Sequence, residues 1–470
     1  MLFSTLLLAA VATADVVHLP LKVRNVEGEV PSALAKRSVL HDTQVRDWQF
    51  YELEVHIGTP PQKVKALFDT GSPFLWVPGA NSTECAVKKV CTNPFNVSES
   101  TSWRYQSQSA NWGGHGNWGL ETVNYADATL KDFHVWASND QILNSDGIFG
   151  QSGDDDPSMS FVQGLWKSGK ISRAIYSIDA AATVFWRDKA TEGTINNVYY
   201  GGFDRAKYEG PLTTIKCDHH GGYAMPLGGL FIDGVQQLKK PTQIVLDTGG
   251  IALGLPNSTL EYISNKWGNG KWESPGYWGV NCGSQITLTY QFGYTTIDVD
   301  VSKYVLKSPH GGCRLEGVSP VKDGDILLTG PPLISKALVI YDNTRDEITI
   351  ARAKYTDESD VVEITGDIPG AVKYTDWLAS KPLPSASSSK TSSIPVSSVA
   401  QHVASSASST KAAASSSAKP SSSKASSTKA SSTLAVKTTS SEAAAPVETD
   451  SSTEGGNTID WCGLWGLNCQ

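Results

Sequence analysis

The sequence predicts an all-β protein built from two related lobes, and two observations support this fold class. From about residue 51 to residue 352 the chain is a succession of short β-like runs separated by Gly, Pro, Asn and Asp, with few stretches of helical period. Residues 51–57 alternate between apolar and polar side chains, whereas residues 337–341 are continuously apolar. The clearest helix candidate, residues 159–165, is short. The second observation is a motif that occurs once in each half.

This motif is an apolar strand that runs into Asp-Thr-Gly. It occurs at Asp69 and again at Asp247, 178 residues further along the chain. Each copy is followed by an apolar run that ends in glycine, at Gly150 and Gly330, which lie 81 and 83 residues after the respective aspartates. One Asp-Thr-Gly alone is a common turn, but two with matched spacing indicate a duplicated lobe. We therefore expect two β lobes related by a pseudo-twofold axis, with a cleft between them.

Such an axis would bring Asp69 and Asp247 face to face. Two carboxylates held that close cannot both be ionised, so they share one proton. The ionised carboxylate can take a proton from a water molecule while the protonated one donates to a substrate carbonyl. This pairing predicts general acid–base hydrolysis with no metal, no cofactor and no covalent intermediate.

The residues next to the two aspartates fit this chemistry. Gly71 and Gly249 allow the backbone to approach the carboxylates closely. The hydroxyls of Thr70 and Thr248 can hydrogen-bond across the axis and hold the two loops together. All four residues are therefore predicted to support the pair of carboxylates.

Together with neighbouring motifs, these residues resemble the pepsin family of aspartic proteases over about residues 48–352. The matching segments are Gly58-Thr59-Pro60-Pro61-Gln62, Phe68-Asp69-Thr70-Gly71-Ser72, Leu75-Trp76-Val77-Pro78, Asp146-Gly147-Ile148-Phe149-Gly150, Tyr200-Gly201-Gly202-Phe203-Asp204 and Tyr341-Asp342. The resemblance implies a bilobal pepsin-like fold with a long cleft, cleavage of protein or peptide substrates at acid pH, and activation by loss of a propeptide. It also implies that Asp69 and Asp247 are catalytic and adds Ser72 to the residues that support them.

The chain departs from the family pattern at three places. Where the family usually has Ser or Thr after the second Asp-Thr-Gly, with its hydroxyl bonded to the aspartate, this chain has Gly250. The flap tyrosine is replaced by Trp112, followed by Gly113. That tyrosine pairs in the family with the tryptophan matching Trp76, but an indole N–H only donates, so Trp112 and Trp76 cannot hydrogen-bond to each other. Residues 331–334 read Pro-Pro-Leu-Ile where an acidic residue and a Phe-Leu pair are usual.

These departures leave three functions open. The first is an active acid endopeptidase, which the two Asp-Thr-Gly motifs favour. The second is a pepsin-fold binding or inhibitor protein that has kept both aspartates but lost efficient turnover, which Gly250 and Trp112 favour. The third is a cell-wall structural protein that acts mainly through its Ser/Thr-rich region.

Composition limits the partners that we expect. The 470 residues are 40% hydrophobic, which is enough for a sizeable core. A formal net charge of −8 and a pI near 5.6 argue against nucleic-acid binding, which requires a basic face. The run Cys217-Asp218-His219-His220 has no second cluster with metal-ligand spacing, so we interpret it as a polar loop. We expect a monomer that acts on proteins or peptides.

Signals at the start of the chain predict secretion to the extracellular space. Residues 1–14 form a short apolar run that closes on Ala-Thr-Ala, which predicts a signal peptide; the alternative is a buried strand or helix. Residues 15–37 end in Lys36-Arg37, which predicts a propeptide and a mature chain that begins at Ser38. The alternative is an ordinary exposed basic pair.

The remaining chain is expected to divide into five parts. They are an N-terminal catalytic lobe (38–210), a C-terminal catalytic lobe (211–356), a linker (357–383), a disordered Ser/Thr/Ala-rich stalk (384–455) and a Cys/Trp-containing tail (456–470). The stalk would allow O-glycosylation and association with the cell wall. The tail lacks a long hydrophobic segment, so no membrane span or glycolipid anchor is expected. It is either a disulfide-closed aromatic knob that binds a partner or an incidental end.

Cysteines and glycosylation sequons fit an oxidising, extracellular setting. The candidate disulfide pairs, which leave Cys217 odd, are Cys85–Cys91, Cys282–Cys313 and Cys462–Cys469. The candidate glycosylation sites are Asn81, Asn96 and Asn257.

Overall fold

The structure is a computed structural model, which describes most of the residues between 16 and 381. They are residues 16–27, 47–89, 91, 93–111, 114–125, 128–140, 147–180, 195–218, 223–250, 252–268, 272–273, 277–308 and 311–381. The expected signal peptide, Ser38, the stalk and the tail with Cys462 and Cys469 lie outside these residues, as do Trp112 and Gly113.

Strands dominate the described chain. The strands of the first half are β1 (Val17–Glu27), β2 (Asp47–Ile57), β3 (Gln62–Asp69), β4 (Leu75–Val77), β5 (Arg104–Asn111), β6 (Gly114–Tyr125), β7 (Ala128–Ser138), β8 (Gly147–Gly150), β9 (Ile175–Ile178), β10 (Ile195–Tyr200) and β11 (Gly202–Asp204). Those of the second half are β12 (Tyr208–Lys216), β13 (Met225–Pro226), β14 (Gly229–Ile232), β15 (Val235–Gln236), β16 (Gln243–Leu246), β17 (Leu253–Pro256), β18 (Trp272–Glu273), β19 (Tyr277–Val280), β20 (Thr287–Phe292), β21 (Thr295–Asp300), β22 (Val305–Lys307), β23 (Cys313–Leu315), β24 (Val318–Val321), β25 (Leu327–Thr329), β26 (Ala337–Asp342), β27 (Glu347–Ala353), β28 (Val361–Glu363) and β29 (Ala371–Lys373).

Helices in the described residues are short. The α-helices are α1 (Thr83–Ala86), α2 (Phe161–Lys167), α3 (Asn257–Trp267), α4 (Pro331–Ile334) and α5 (Tyr374–Ser380), and the 3-10 turns are Val97–Glu99, Arg205–Lys207 and Ser302–Tyr304. Helix α2 begins two residues later than the sequence predicts, because the Ser160 side chain caps it by accepting a hydrogen bond from the Gln163 backbone N–H.

A 14-stranded sheet runs through both halves of the chain. Its strand order is β29-β12-β27-β26-β9-β10-β1-β2-β3-β8-β4-β7-β6-β5. Strand β9 of the first half pairs antiparallel with β26 of the second, and Tyr176 lies opposite Tyr341. The second half adds three smaller sheets, with orders β13-β16-β25-β17-β24, β15-β14-β20-β21 and β18-β19-β23-β22. The predicted all-β, bilobal fold is confirmed, and the β9–β26 pair joins the two lobes.

Burial along two strands explains the patterns in the sequence. From Tyr51 to Ile57 the apolar residues of β2 are buried, whereas Glu54 and His56 are exposed. Every residue of β26 is buried, which agrees with its continuous apolar run. One face of this region belongs to the main core, and the other packs in a second core around Leu338 and Ile340.

Two disulfide bonds are present in the described chain. They join Cys85 to Cys91 and Cys282 to Cys313. Cys217 is a buried free cysteine, and burial raises the pKa of its thiol to about 12. A neutral thiol in such a place is unreactive.

Residues 357–381, which we call the strap, differ from the linker that the sequence analysis expects. Strand β28 pairs antiparallel with β11, and β29 pairs parallel with β12. Ile364 and Ile368 complete the second core beside β26, while Tyr374 and Trp377 of α5 are also buried. These four apolar side chains stand among polar residues, so the local composition gives little sign of a packed segment.

Polar contacts attach the strap to the first half of the chain, and an apolar contact attaches it to the second. Asp204 accepts hydrogen bonds from the Ser359 hydroxyl at 2.7 Å and from the Asp360 N–H at 2.7 Å. The Ser172 hydroxyl donates to the carbonyl of Ile364, at 3.2 Å. On the second half, Trp377 packs against Gly228, where a Cβ would come within 2.7 Å of the indole. The strap is therefore part of the folded body.

Removing the strap should destabilise the protein. A chain that ends at Thr356 loses its four buried apolar side chains, each worth about 1.5–3 kcal/mol, so its thermal midpoint should fall by more than about 10 °C. The matched control ends at Lys381 and should melt like the full chain. Equal midpoints for the two truncated chains, measured by calorimetry, would contradict this assignment.

Candidate active site

Each Asp-Thr-Gly loop follows a strand that lies in the same local arrangement. Strand β3 ends at Asp69 and pairs in parallel with β8, so that Asp69 is level with Gly150. Strand β16 ends one residue before Asp247 and pairs in parallel with β25, so that Leu246 is level with Thr329. In both halves a short strand then crosses back: β4 runs antiparallel to β8, and β17 runs antiparallel to β25.

Matching hydrogen bonds close the two loops. The Gly150 N–H donates to the carbonyl of Phe74 at 3.0 Å, and the Gly330 N–H donates to the carbonyl of Ala252 at 3.1 Å. Both acceptors lie five residues after their aspartate. A Cβ on Gly150 would overlap the carbonyl oxygen of Ser72. The repeated glycines thus let the second apolar run approach the backbone of the loop.

The two threonines bind the loops to each other across the junction. The Thr70 N–H donates to the Thr248 hydroxyl at 3.0 Å, and the Thr248 N–H donates to the Thr70 hydroxyl at 3.0 Å. Each hydroxyl in turn donates to a backbone carbonyl of the opposite loop, Thr70 to Leu246 at 2.8 Å and Thr248 to Phe68 at 2.5 Å. These four buried hydrogen bonds fix one loop relative to the other.

This arrangement brings Asp69 and Asp247 together. The Gly71 N–H donates to Oδ1 of Asp69 at 2.9 Å, and the Gly249 N–H donates to Oδ1 of Asp247 at 2.8 Å. Each glycine also faces the opposite carboxyl group: a Cβ on Gly71 would lie 2.6 Å from Oδ1 of Asp247, and one on Gly249 would overlap Oδ1 of Asp69. Any side chain at either position would therefore push the carboxyl groups apart.

The supporting hydroxyls are not symmetric. Ser72, three residues after Asp69, donates its hydroxyl to Oδ2 of that carboxyl group at 2.5 Å. Gly250 holds the matching position after Asp247 and has no hydroxyl to offer. A Cβ on Gly250 would lie 3.4 Å from Oδ2 of Asp247, and its backbone is outside the positive-φ region. The site has room for a small side chain there.

Trp76 lies in β4, which pairs with β7, and β7 in turn pairs with β6 of the β5–β6 hairpin. It is fully buried and stacks on Trp136, with ring centroids 5.9 Å apart. None of the described residues provides a hydrogen-bond partner for its Nε1. Trp112 and Gly113 join β5 to β6, outside the described residues, so their predicted place in the flap stays a prediction.

Tyr341 is a feature of the site to which sequence reasoning assigned no role. The resemblance includes Tyr341-Asp342 only as a matching segment, but the Tyr341 hydroxyl donates to the carbonyl of Leu246 at 3.2 Å. The two residues are 95 positions apart. No local pattern in the sequence could have signalled this contact.

The predicted glycosylation sites lie in different surroundings. Asn81 and Asn257 are exposed. Asn96 is partly buried, and its side-chain oxygen accepts hydrogen bonds from the N–H and the hydroxyl of Ser98, at 3.2 and 2.7 Å. Glycosylation at all three remains a prediction.

Two further features are absent from the described part of the chain. It contains no helix with the length and apolar character needed to cross a bilayer. Within the same residues, no three His, Cys, Asp or Glu side chains are grouped in a way that could hold a metal ion.

The sequence of this chain is similar to those of known proteins. The family model of the eukaryotic aspartyl protease matches residues 50–353. The "probable aspartic-type endopeptidase opsB" of Aspergillus oryzae is 27% identical over 374 residues, which cover 70% of this chain and 74% of that protein. Aspartic proteinase yapsin-3 of Saccharomyces cerevisiae is 25% identical over 73% of this chain and 74% of its own length. The acid extracellular protease of Yarrowia lipolytica is 26% identical over 78% of this chain and 98% of its own length. This chain therefore belongs to the eukaryotic aspartyl protease family.

Proposed function

We propose that this aspartic protease is a secreted acid endopeptidase in which Asp69 and Asp247 are the catalytic pair. The observation that carries the proposal is the contact of each loop glycine with the opposite carboxyl group, which requires the two aspartates to be close. The cross-axis threonine bonds support it, because they fix the two loops that carry the carboxyl groups.

Two close carboxyl groups that share one proton can carry out both steps of peptide hydrolysis. The ionised group removes a proton from a water molecule as the oxygen attacks the scissile carbonyl carbon. The protonated group donates to the carbonyl oxygen, which gives a tetrahedral intermediate. The group that took the proton from water then passes it to the amide nitrogen, while the other group takes a proton back from a hydroxyl of the intermediate. The C–N bond breaks to release a carboxylic acid and an amine, and the pair regains its starting protonation. Acid conditions are proposed for the reaction because one relative is named an acid extracellular protease.

The proposed setting of the enzyme is extracellular. One relative is named an acid extracellular protease, and another, from Candida albicans, is named secreted aspartic protease 10. We propose that residues 1–14 direct secretion and that cleavage after Arg37 produces a mature chain beginning at Ser38. The stalk would then place the monomeric catalytic body at the cell wall, where it acts on proteins or peptides.

A pepsin-fold binding protein is the second candidate. Gly250 removes one hydroxyl from the surroundings of Asp247, and the buried indole of Trp76 has no hydrogen-bond partner among the described residues. Both features would lower turnover without preventing a peptide from occupying the cleft. The candidates differ in whether bound peptide is cleaved.

The decisive experiment measures cleavage of a denatured protein by the secreted chain at about pH 3–5, with and without pepstatin, an inhibitor that resembles the transition state.

Asp69→Asn and Asp247→Asn should each reduce cleavage at least about 100-fold, because an amide cannot be the ionised partner. The double variant should be little worse, since the pair acts as a unit. Undiminished cleavage by purified Asp69→Asn would refute the assignment, and pepstatin binding without cleavage would favour the binding protein. Asp325→Asn, an exposed carboxyl group, is the matched control.

Restoring a hydroxyl next to Asp247 should raise activity. Gly250→Ser, or the bulkier Gly250→Thr, would place an oxygen near Oδ2 of Asp247, and one added hydrogen bond should raise kcat about 2- to 10-fold. Gly249→Ala is the control, because its Cβ would overlap Oδ1 of Asp69 and should abolish activity. The explanation based on space and hydrogen bonding is wrong if both substitutions change kcat equally.

A further inference from the structure

Tyr341 lies where the two lobes join, directly beneath the loops of the catalytic pair. It is fully buried on β26, and its ring stacks on Tyr176 of β9 with centroids 4.9 Å apart and planes 8° from parallel. The ring of Tyr223 packs on it as well, also at 4.9 Å. Two aromatic rings from separate segments therefore fix the position of the Tyr341 side chain.

The hydroxyl of Tyr341 acts on the peptide unit that precedes Asp247. It donates to the carbonyl of Leu246 at 3.2 Å, and the hydroxyl of Thr70 donates to the same oxygen at 2.8 Å. The N–H of this peptide unit belongs to Asp247 and donates to the carbonyl of Thr329 at 2.9 Å. Three hydrogen bonds thus hold the short segment from which the Asp247 side chain projects.

The first lobe supports its aspartate in another way. Ser72 donates directly to the carboxyl group of Asp69, whereas residue 250 at the matching position is glycine. On this side Tyr176 packs the edge of its ring against Phe68, with centroids 6.2 Å apart. The side-chain hydroxyl that supports Asp69 therefore has no equivalent at residue 250, and Tyr341 supplies a hydroxyl to the backbone instead.

We propose that Tyr341 is a positioning residue for Asp247, and that its hydroxyl offsets the missing hydroxyl at residue 250 by fixing the Leu246–Asp247 peptide unit. This inference rests on the proposed catalytic role of the pair. A phenylalanine would fill the same space between the rings, so Tyr341→Phe removes the hydrogen bond and keeps the packing. Burial raises the pKa of Tyr341, so the hydroxyl remains a donor throughout the acid range.

The test is removal of this hydroxyl alone. Tyr341→Phe should lower kcat about 3- to 10-fold and leave KM within about twofold, since the lost bond orients a carboxyl group and does not contact substrate. The control is Tyr290→Phe, which removes a buried hydroxyl of the second lobe that has no hydrogen-bond partner among the described residues. It should keep the wild-type kcat. Equal kcat for wild type and Tyr341→Phe, or equal losses in the two variants, would overturn the inference.

A second comparison separates positioning from general loss of packing. Adding Gly250→Ser to Tyr341→Phe should raise kcat by a larger factor than Gly250→Ser does in the wild type, because both hydroxyls act on Asp247. Equal factors in the two backgrounds would show that the residues act independently and would contradict the proposal.

Pepstatin affinity provides a measurement that does not require turnover. Calorimetry on the intact chain should show weaker pepstatin binding by Tyr341→Phe, by about 3- to 10-fold, and unchanged binding by Tyr290→Phe. If the wild type cleaves nothing, the proposed protease function fails, and this affinity alone decides the role of Tyr341. Unchanged affinity in Tyr341→Phe would then reject it.

Discussion

The exchange of hydrogen bonds between Thr70 and Thr248 is the interaction on which the arrangement of the two aspartates depends. The two loops are 178 residues apart in sequence, yet the N–H of each threonine donates to the hydroxyl of the other at 3.0 Å. Such bonds form only if the strands that carry the loops are already held at a fixed separation. The β9–β26 pair and the aromatic stack on it supply that separation, because they form a rigid base under both loops.

Bringing two carboxyl groups close together raises the free energy of the folded state, so the surrounding residues must stabilise them. Asp69 and Asp247 are almost completely buried, and a buried charge is unfavourable unless hydrogen bonds satisfy it. Backbone N–H groups from Gly71 and Gly249 provide part of this stabilisation and add no bulk between the carboxyl groups. Each glycine therefore has two roles. Its backbone N–H donates to one carboxyl group, and its lack of a side chain leaves room for the other.

The sequence predicted those parts of the molecule that are encoded locally or by repetition. Both Asp-Thr-Gly loops, the two later glycines and the alternation along β2 could be recognised because each depends on residues close in sequence or on matched spacing. The strap could not be recognised from the sequence, because β28 and β29 pair with strands about 160 residues earlier. Only that pairing buries its four apolar side chains, Ile364, Ile368, Tyr374 and Trp377. Helix α2 begins two residues later than predicted because the Ser160 side chain caps it. The exact ends of a helix are the part that a sequence predicts least well.

The two Asp-Thr-Gly loops share their backbone geometry but differ in their side-chain support. Matching hydrogen bonds from Gly150 and Gly330 show that the main-chain arrangement is the same in both halves, because it is set by strand pairing and by space for glycine. The side chains need not follow that symmetry, because each buried polar group only has to form hydrogen bonds with the groups next to it. Ser72 supports one carboxyl group directly, whereas the Tyr341 hydroxyl bonds to the backbone before the other. The two loops can therefore place Asp69 and Asp247 in different side-chain environments although their main chains match.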